Sequence, residues 1–468
     1  MPVYRNFNLS GINHIVNPLL QPADNLLRAV NVETDVIGAK KKRAGYITYL
    51  GTPDTNQVNT LFDWHRNNGT QFWNYRASGS IFYYSQQGTG AWTVCGNGTI
   101  PNNDNVYGDV LADTLVITSP NGTTRHSTNG TSFTDTTSAP VGGVGVTEFQ
   151  NRIWIPGTAS ALNYSTAGTP TDWTSDSSAY VIGGPGKLLS SFKNNNRVVV
   201  TKNSGQMFRY DGYNLTDQVT DLGPTSAQSI ALIEGFRFYL NRLGIFGYGG
   251  NNPELISNPI EKYIYNDDAT GIVGTTFDNA PAVVHQYNYY LSVGSVQDNL
   301  TDEIINPAVL TYDYQKDEWM TNQFANQPTA FHSFKDASGN QQLIFGDAAG
   351  QCYQLSGTAV SDNGAAISSV LEGVINFGQP ETDKKFNTLW AFANPGCQAT
   401  LQVAIGDSFS KDKKNWISIG DLTEGYKESR FPSDTRGKLL FWKLSETSTN
   451  ARFHFYGMAC DYDNEDRR

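Results

Sequence analysis

The sequence predicts an all-β chain: a β-propeller of about seven blades followed by a C-terminal antiparallel β-sandwich. Three observations predict it. The first is composition, with 45 glycines, 12% aromatic residues and only 16% charged residues in 468 positions. Gly and Asn tolerate the positive φ of tight hairpin turns, and aromatic and β-branched residues suit the pleated faces between them. The second is an internal repeat in the middle of the chain. The third is a change in charge density near residue 365.

The repeat has a constant grammar of a turn, an apolar strand, a second turn, and a strand ending in an aromatic followed by a small or acidic residue. A Trp or Phe often follows the next turn. The first unit holds Gln71–Tyr75, Phe82–Ser85 and Trp92. The second holds Thr114–Ile117, His126, Asn129-Gly130 and Phe133, and the third Asn151–Ile155, Tyr164, Gly168 and Trp173. The fourth runs through Asn196–Val200 and Phe208–Asp211, and the fifth through Phe236–Leu240 and Phe246–Gly249. The sixth holds Tyr287–Leu291, Thr311–Asp313 and Trp319, and the seventh Gln342–Phe345 and Tyr353–Ser356.

With Tyr84, His126, Tyr164, Tyr210, Tyr248, Tyr312 and Leu355 as equivalents, the steps are 42, 38, 46, 38, 64 and 43 residues. The long step holds an insertion around Val296 to Asn306. Four short strands per period of this length are the mark of propeller blades, which bury both faces of each small sheet by radial stacking. A chain of β-sandwiches has similar strand spacing, and six to eight blades fit the pattern.

Before the repeat lies a leader, residues 1–55. It contains one short apolar helical candidate, Leu26–Val30, and a basic run, Lys40-Lys41-Lys42-Arg43, that reads as a solvated turn. It ends in a strand, Tyr46–Leu50, placed to complete the last blade. The propeller spans residues 56–365. From 366 to 468 the charge density rises from about one residue in seven to about one in four. Alternating stretches there read as sandwich strands: Phe386, Leu389, Trp390 and Phe392; Leu401, Val403 and Ile405; Leu440, Trp442 and Leu444; Phe453 and Phe455. The acidic end, Asp461–Asp466, reads as a frayed terminus.

Net charge is −11, against a sequence-independent grip on nucleic acid. The four cysteines, Cys95, Cys352, Cys397 and Cys460, are too scattered for a zinc site or a disulfide scaffold. The stretch Met1–Phe7 lacks the apolar core of a signal peptide, so none is expected, and no apolar run approaches the length of a membrane span. Four of the eight Asn-x-Ser/Thr sequons are Asn-Gly-Thr, which reads as a turn. Catalytic chemistry is thin. The histidines, His14, His65, His126, His285, His332 and His454, lack metal-ligand spacing, and there is no nucleophile elbow or phosphate loop. Ser165–Trp173 and Ser127–Phe133 are similar to the Asp-box of sialidase-type propellers, which is a structural turn. No catalytic, cofactor-binding or metal-binding residue is assigned, no cofactor is expected, and the chain is not expected to be an enzyme.

Asn25-Leu26-Leu27-Arg28-Ala29-Val30-Asn31-Val32, then Gly38, then Lys42-Arg43-Ala44-Gly45-Tyr46, resembles the opening of β-propeller tail hub and nozzle proteins of short-tailed bacteriophages. Asn196–Val200 with Gly205-Gln206-Met207-Phe208-Arg209-Tyr210 resembles a blade of that family, and Phe455-Tyr456-Gly457-Met458 its closing strand. The chain departs from the family at Ala44, where Pro is common. The resemblance implies a structural virion protein, self-associated into a ring, usually a hexamer, that extends the DNA channel for genome retention and ejection. It implies assembly in the host cytoplasm, contact with other tail proteins on the adaptor or portal side and at a fibre or spike, and viral DNA that passes without specific binding. The competing readings are a carbohydrate-binding propeller for host receptors, using exposed Trp and Tyr, and a glycosidase-type propeller.

Overall fold

Runs such as Phe72–Ser78, Thr114–Thr118 and Gly244–Tyr248 are buried along their whole length. A strand buried on both faces needs cover on both sides, and here neighbouring blades supply it. The computed structural model describes residues 3–14, 20, 22–35, 38–51, 54–67, 71–86, 90–157, 160–219, 221–264, 272–273, 279–297, 304–407, 415–449 and 453–465. It is an all-β chain in a six-blade propeller arrangement, with six independent four-stranded antiparallel sheets.

Four consecutive strands make each of the first five blades. These cover 58–99, 107–135, 147–181, 188–219 and 231–255. The sixth independent blade takes Ala330–Lys335, Gln341–Gly346 and Cys352–Ser356 from its own stretch. Its outer strand is Gly45–Thr48 from the leader, in the register Tyr353↔Thr48 to Ser356↔Gly45. Tyr46 is fully buried there, against the rings of Phe324, Phe345 and Tyr353.

The sixth repeat behaves differently from the rest. Its strands, Ala282–His285, Asn288–Gln297, Ile304–Asp313 and Glu318–Gln323, form a meander inside a ten-stranded sheet. The meander packs against the closing blade through Val283, Tyr290 and Val309 on one side and Phe331, Leu343 and Phe345 on the other. The insertion lengthens its central hairpin, whose residues 298–303 lie outside the described ones.

Tight inner hairpins link the strands. Ala112-Asp113, Gln150-Asn151 and Gln286-Tyr287 each have both φ values between 48° and 66°. Two positive φ angles in succession match a two-residue turn to the right-handed twist of its strands.

The leader is built into the body of the protein. Leu26–Val30 is a strand rather than a helix. It runs parallel to Glu318–Gln323 and antiparallel to Ser369–Ile375, in the middle of the ten-stranded sheet. All five residues are buried, Arg28 beside Glu372 at 3.7 Å, so the apolar residues fall on both faces and carry no period to separate strand from helix.

Val3–Asn6, Val32–Thr34 and Lys40–Lys42 join Asp383–Ala393, Tyr426–Arg430, Arg436–Gly437 and His454–Glu465 in a seven-stranded sheet. The acidic end is therefore a strand as far as Glu465, paired with Asp383–Ala393, and Asp466 lies outside the described residues. The remaining C-terminal strands, Ser369–Ile375, Thr400–Gly406, Ile417–Asp421 and Leu439–Glu446, extend the ten-stranded sheet. One core spans both sheets. Leu401, Val403, Trp442 and Leu444 meet Phe386, Leu389, Phe455 and Cys460, and the same core continues into Phe238 and Tyr289 of the propeller. A bulge between Phe386 and Thr388 puts Leu389 on the same inward face as Phe386, so that ordinary alternation then turns Trp390 and Phe392 to the opposite face.

Candidate functional site

The basic run sits at the joint between propeller and C-terminal sheets, and its charges are buried rather than solvated. Within Lys40–Lys42 the alternation of a strand sends Lys40 and Lys42 inward and leaves Lys41 half-buried beside Glu33. Lys40 Nζ meets Glu318 of the meander at 2.8 Å and donates to Thr34 Oγ1. Lys42 Nζ meets Glu446 at 2.6 Å and donates to the Ser448 carbonyl.

Arg43 is the centre of the joint. Its Nη1 and Nη2 grip the two oxygens of Asp362 at 2.8 and 2.6 Å. Its Nε donates to Asn31 Oδ1, Nη2 also to the Gln323 carbonyl, and Nη1 also to the Ala44 carbonyl. All five N–H donors of the guanidinium are thereby used. The plane also lies 4.6 Å from the centre of the Phe324 ring. Asn31 adopts φ 57° and carries the Ser368 carbonyl on its amide. Asn31, Arg43 and Asp362 thus lock leader, meander and the exit of the closing blade into one unit.

The inner strands of the blades surround an axial lumen with two adjoining cavities of about 300 and 200 Å³. The 3-10 turn Ala227–Ser229, ahead of the fifth blade, spans one end. Gln228 Nε2 donates to the Asn59 carbonyl in the first blade and to Asn105 Oδ1 ahead of the second. Arg237 lines the larger cavity and donates to the Lys193 carbonyl. Burial pulls its guanidinium down to about 10, with Asp109 opposing.

Further along the same strands, Asp63 Oδ2 lies 2.8 Å from His65 Nε2, and Asp63 Oδ1 lies 2.8 Å from His332 Nε2. Burial pushes the Asp63 carboxyl up, but the hydrogen bond and charge of His332 and the charge of His65 outweigh it and hold the group below the usual carboxylate range. Among the described residues no group of three or more His, Cys, Asp or Glu is placed to hold a metal. The four cysteines are buried and unpaired with one another. Burial raises the thiols of Cys352 and Cys460 to about 12.

His285, on the inner strand of the meander, is 7% exposed, and burial lowers it to about 4. The unfolded chain has a histidine pKa of about 6.5 and so binds more protons between these values. His285 therefore contributes stability that is full above pH 6.5 and is lost as pH falls to about 4. His14 is lowered to about 4 in the same sense, by burial first. Urea unfolding at a series of pH values is expected to show this decline, and His285→Leu to flatten it by about 1.4 kcal/mol per pH unit. An unchanged slope in that variant would reject the assignment.

The two Asp-box-like stretches are turns. Ser165 Oγ accepts from the Ile153 amide, and Trp173 Nε1 donates to the Pro170 carbonyl. Ser127 Oγ accepts from the Gly130 amide, and Gly130, at φ 80°, lies under the Trp73 ring, where a Cβ would come within 2.4 Å.

No protein-family model and no curated protein matches the chain in sequence. Similar solved structures are β-propeller proteins. YCF48 from Cyanidioschyzon merolae is 11% identical, with TM-score 0.43 over 67% of this chain and 98% of its own. BBS1N, solved in complex with ARL6DN, is 8% identical, with TM-score 0.45 over 68% and 99%. BamB from Moraxella catarrhalis is 10% identical, with TM-score 0.40 over 76% and 99%. None of the three is a phage tail hub.

Proposed function

We propose that the chain is a structural building block of a bacteriophage tail, one of about six copies in a ring that extends the DNA channel for genome retention and ejection. In this reading the meander counts as a seventh blade and the two C-terminal sheets as a sandwich, so that residues 56–365 form the propeller and 366–468 the second unit. The observation that carries the reading is the place of the leader motif. Asn31, Arg43 and Tyr46 belong to the pattern that resembles tail hub and nozzle proteins. Asn31 and Arg43 are also part of the joint between propeller and C-terminal sheets, and Tyr46 lies on the strand that closes the propeller. A ring subunit needs such a joint, because ring geometry is kept only if the parts of each copy hold a fixed relation.

Charge fits the same reading. The chain carries −11 overall, and Lys40, Lys42 and Arg43 are spent on internal carboxylates. DNA would pass through the hole of the ring, since Gln228 spans the lumen of each propeller at one end. Negative-stain images of the purified full chain and of virions that contain it are expected to show six-fold rings. Filter binding with duplex DNA at physiological salt is expected to show no retention. A protein that stays monomeric, is absent from virions and binds on a glycan array would overturn the reading in favour of a carbohydrate-binding propeller.

A further inference from the structure

A groove of about 500 Å³ opens between the fifth blade and the meander. Phe236 and Phe238 come from one side and Tyr312 and Tyr314 from the other. Phe236 and Tyr314 have ring centres 6.2 Å apart at 43°, and Phe238 and Tyr314 5.8 Å apart at 56°. The rings pack on one another in tilted contact, which leaves Phe238 and Tyr312 buried and the outer face of Phe236 open to the groove.

The local sequence holds them there. A Cβ at Gly247 would come within 3.1 Å of the Phe238 ring, and one at Gly249 within 2.9 Å of the Phe236 ring, so both rings lie close over glycine backbone. Tyr312 stacks on Trp319 at 4.8 Å, and Trp319 Nε1 donates to the Ile256 carbonyl in the floor. Phe236 stays 41% exposed at the mouth of the groove.

Two exposed carboxylates, Glu254 and Asp317, line the same groove, and no Lys, Arg or His does. The neighbouring cations are committed elsewhere. Arg237, between the two Phe residues, donates to the Lys193 carbonyl and lies over Phe192. Lys316, next to Asp317, donates to the Thr34 and Asp35 carbonyls. Asp317 accepts from the Tyr312 hydroxyl, which leaves further lone pairs on the carboxylate for a guest. Aromatic faces attract cations through the ring quadrupole, and carboxylates at the rim add charge complementarity. A sugar hydroxyl seeks donors and acceptors in equal measure, whereas this wall is weighted to acceptors.

We propose that the groove binds the arginine side chain of a partner protein, with the guanidinium over the exposed face of Phe236 and its N–H groups on Glu254 and Asp317. Arginine fits better than lysine because its planar fork can stack on a ring and still bind a carboxylate edge-on. The proposal is independent of ring formation and concerns a surface outside the axial lumen.

The test is saturation-transfer NMR on the full chain with acetyl-Gly-Arg-Gly-amide, its isosteric citrulline counterpart and methyl glucoside as probes. Transfer is expected to the arginine side chain and to be absent for citrulline and glucoside. Phe236→Ala is expected to abolish it, and the pair E254Q and D317N to weaken binding about tenfold. Asn tolerates the φ of 54° at position 317, so the melting temperature of the pair serves as the folding control. Equal transfer to citrulline, no transfer to any probe, or binding that survives these substitutions would overturn the proposal. Transfer to methyl glucoside that Phe236→Ala removes would reassign the groove to a saccharide.

Discussion

Removal of residues 1–50 is expected to leave a chain with no cooperative unfolding transition. The segment supplies an interior strand, Leu26–Val30, to the ten-stranded sheet, and its loss exposes the facing edges of Glu318–Gln323 and Ser369–Ile375. It also supplies the outer strand of the closing blade, and its loss leaves Cys352–Ser356 as an open edge paired only with Gln341–Gly346. Leu26, Leu27, Val30 and Tyr46 are each at most 3% exposed. Full burial of each such side chain is worth about 1.5–3 kcal/mol, and whole domains are stable by only about 5–15 kcal/mol. The lost burial therefore rivals the entire stability before any broken strand pairing is counted. Differential scanning calorimetry of the truncated chain checks this, and a single sharp transition at an unchanged temperature would refute it. The point variant Tyr46→Ala should fold but lose about 3–5 kcal/mol, because three aromatic neighbours would line the resulting cavity.

The second large effect is at Arg43 and Asp362. Their side chains are 4% and 2% exposed and paired through both oxygens. Breaking a buried pair by removing one partner leaves an uncompensated charge and costs about 3–5 kcal/mol. Arg43→Ala and Asp362→Ala are each expected to lose that much in denaturant unfolding. Arg43→Lys is expected to fall close to Arg43→Ala, since an ammonium cannot bridge Asp362, Asn31 and Gln323 at once. An apolar pair at both positions, Arg43→Met with Asp362→Leu, should recover part of the loss, because no charge is then stranded. Single variants that melt like the parent would show that the joint adds nothing to the fold.

The repeat was legible because its information is local. Strand, turn and aromatic recur every 38 to 46 residues in most steps, and each signal lies within a few positions. The turns themselves were only partly legible. Gln286-Tyr287 adopts two positive φ angles with neither Gly nor Asn present, so the demands of the hairpin override the residue preference. Leu26–Val30 was misread because apolar residues on both faces of so short a stretch carry no period. The Lys40–Arg43 run was misread because its partners lie 278, 404 and 319 residues away. A charge reads as solvated until its counter-charge is known. The acidic end hid a strand for a similar reason: Tyr462 faces inward between the outward Asp461 and Asp463, but the density of acids masks the alternation.

The aromatic groove could not be read along the chain at all. Phe236 and Phe238 belong to one repeat unit, Tyr312, Tyr314 and Asp317 to the next, and only the packing of two blades brings them together.

Sequence by itself determined the all-β class and the recurring four-stranded unit, because hydrophobic patterning and turn residues act over a few residues. Tertiary structure alone decided that the sixth repeat merges into a ten-stranded sheet and that the leader is an interior strand. It also decided that three of four consecutive basic residues, Lys40, Lys42 and Arg43, form the joint of the molecule. These outcomes depend on which surfaces meet across hundreds of residues, and burial and charge compensation are properties of that meeting.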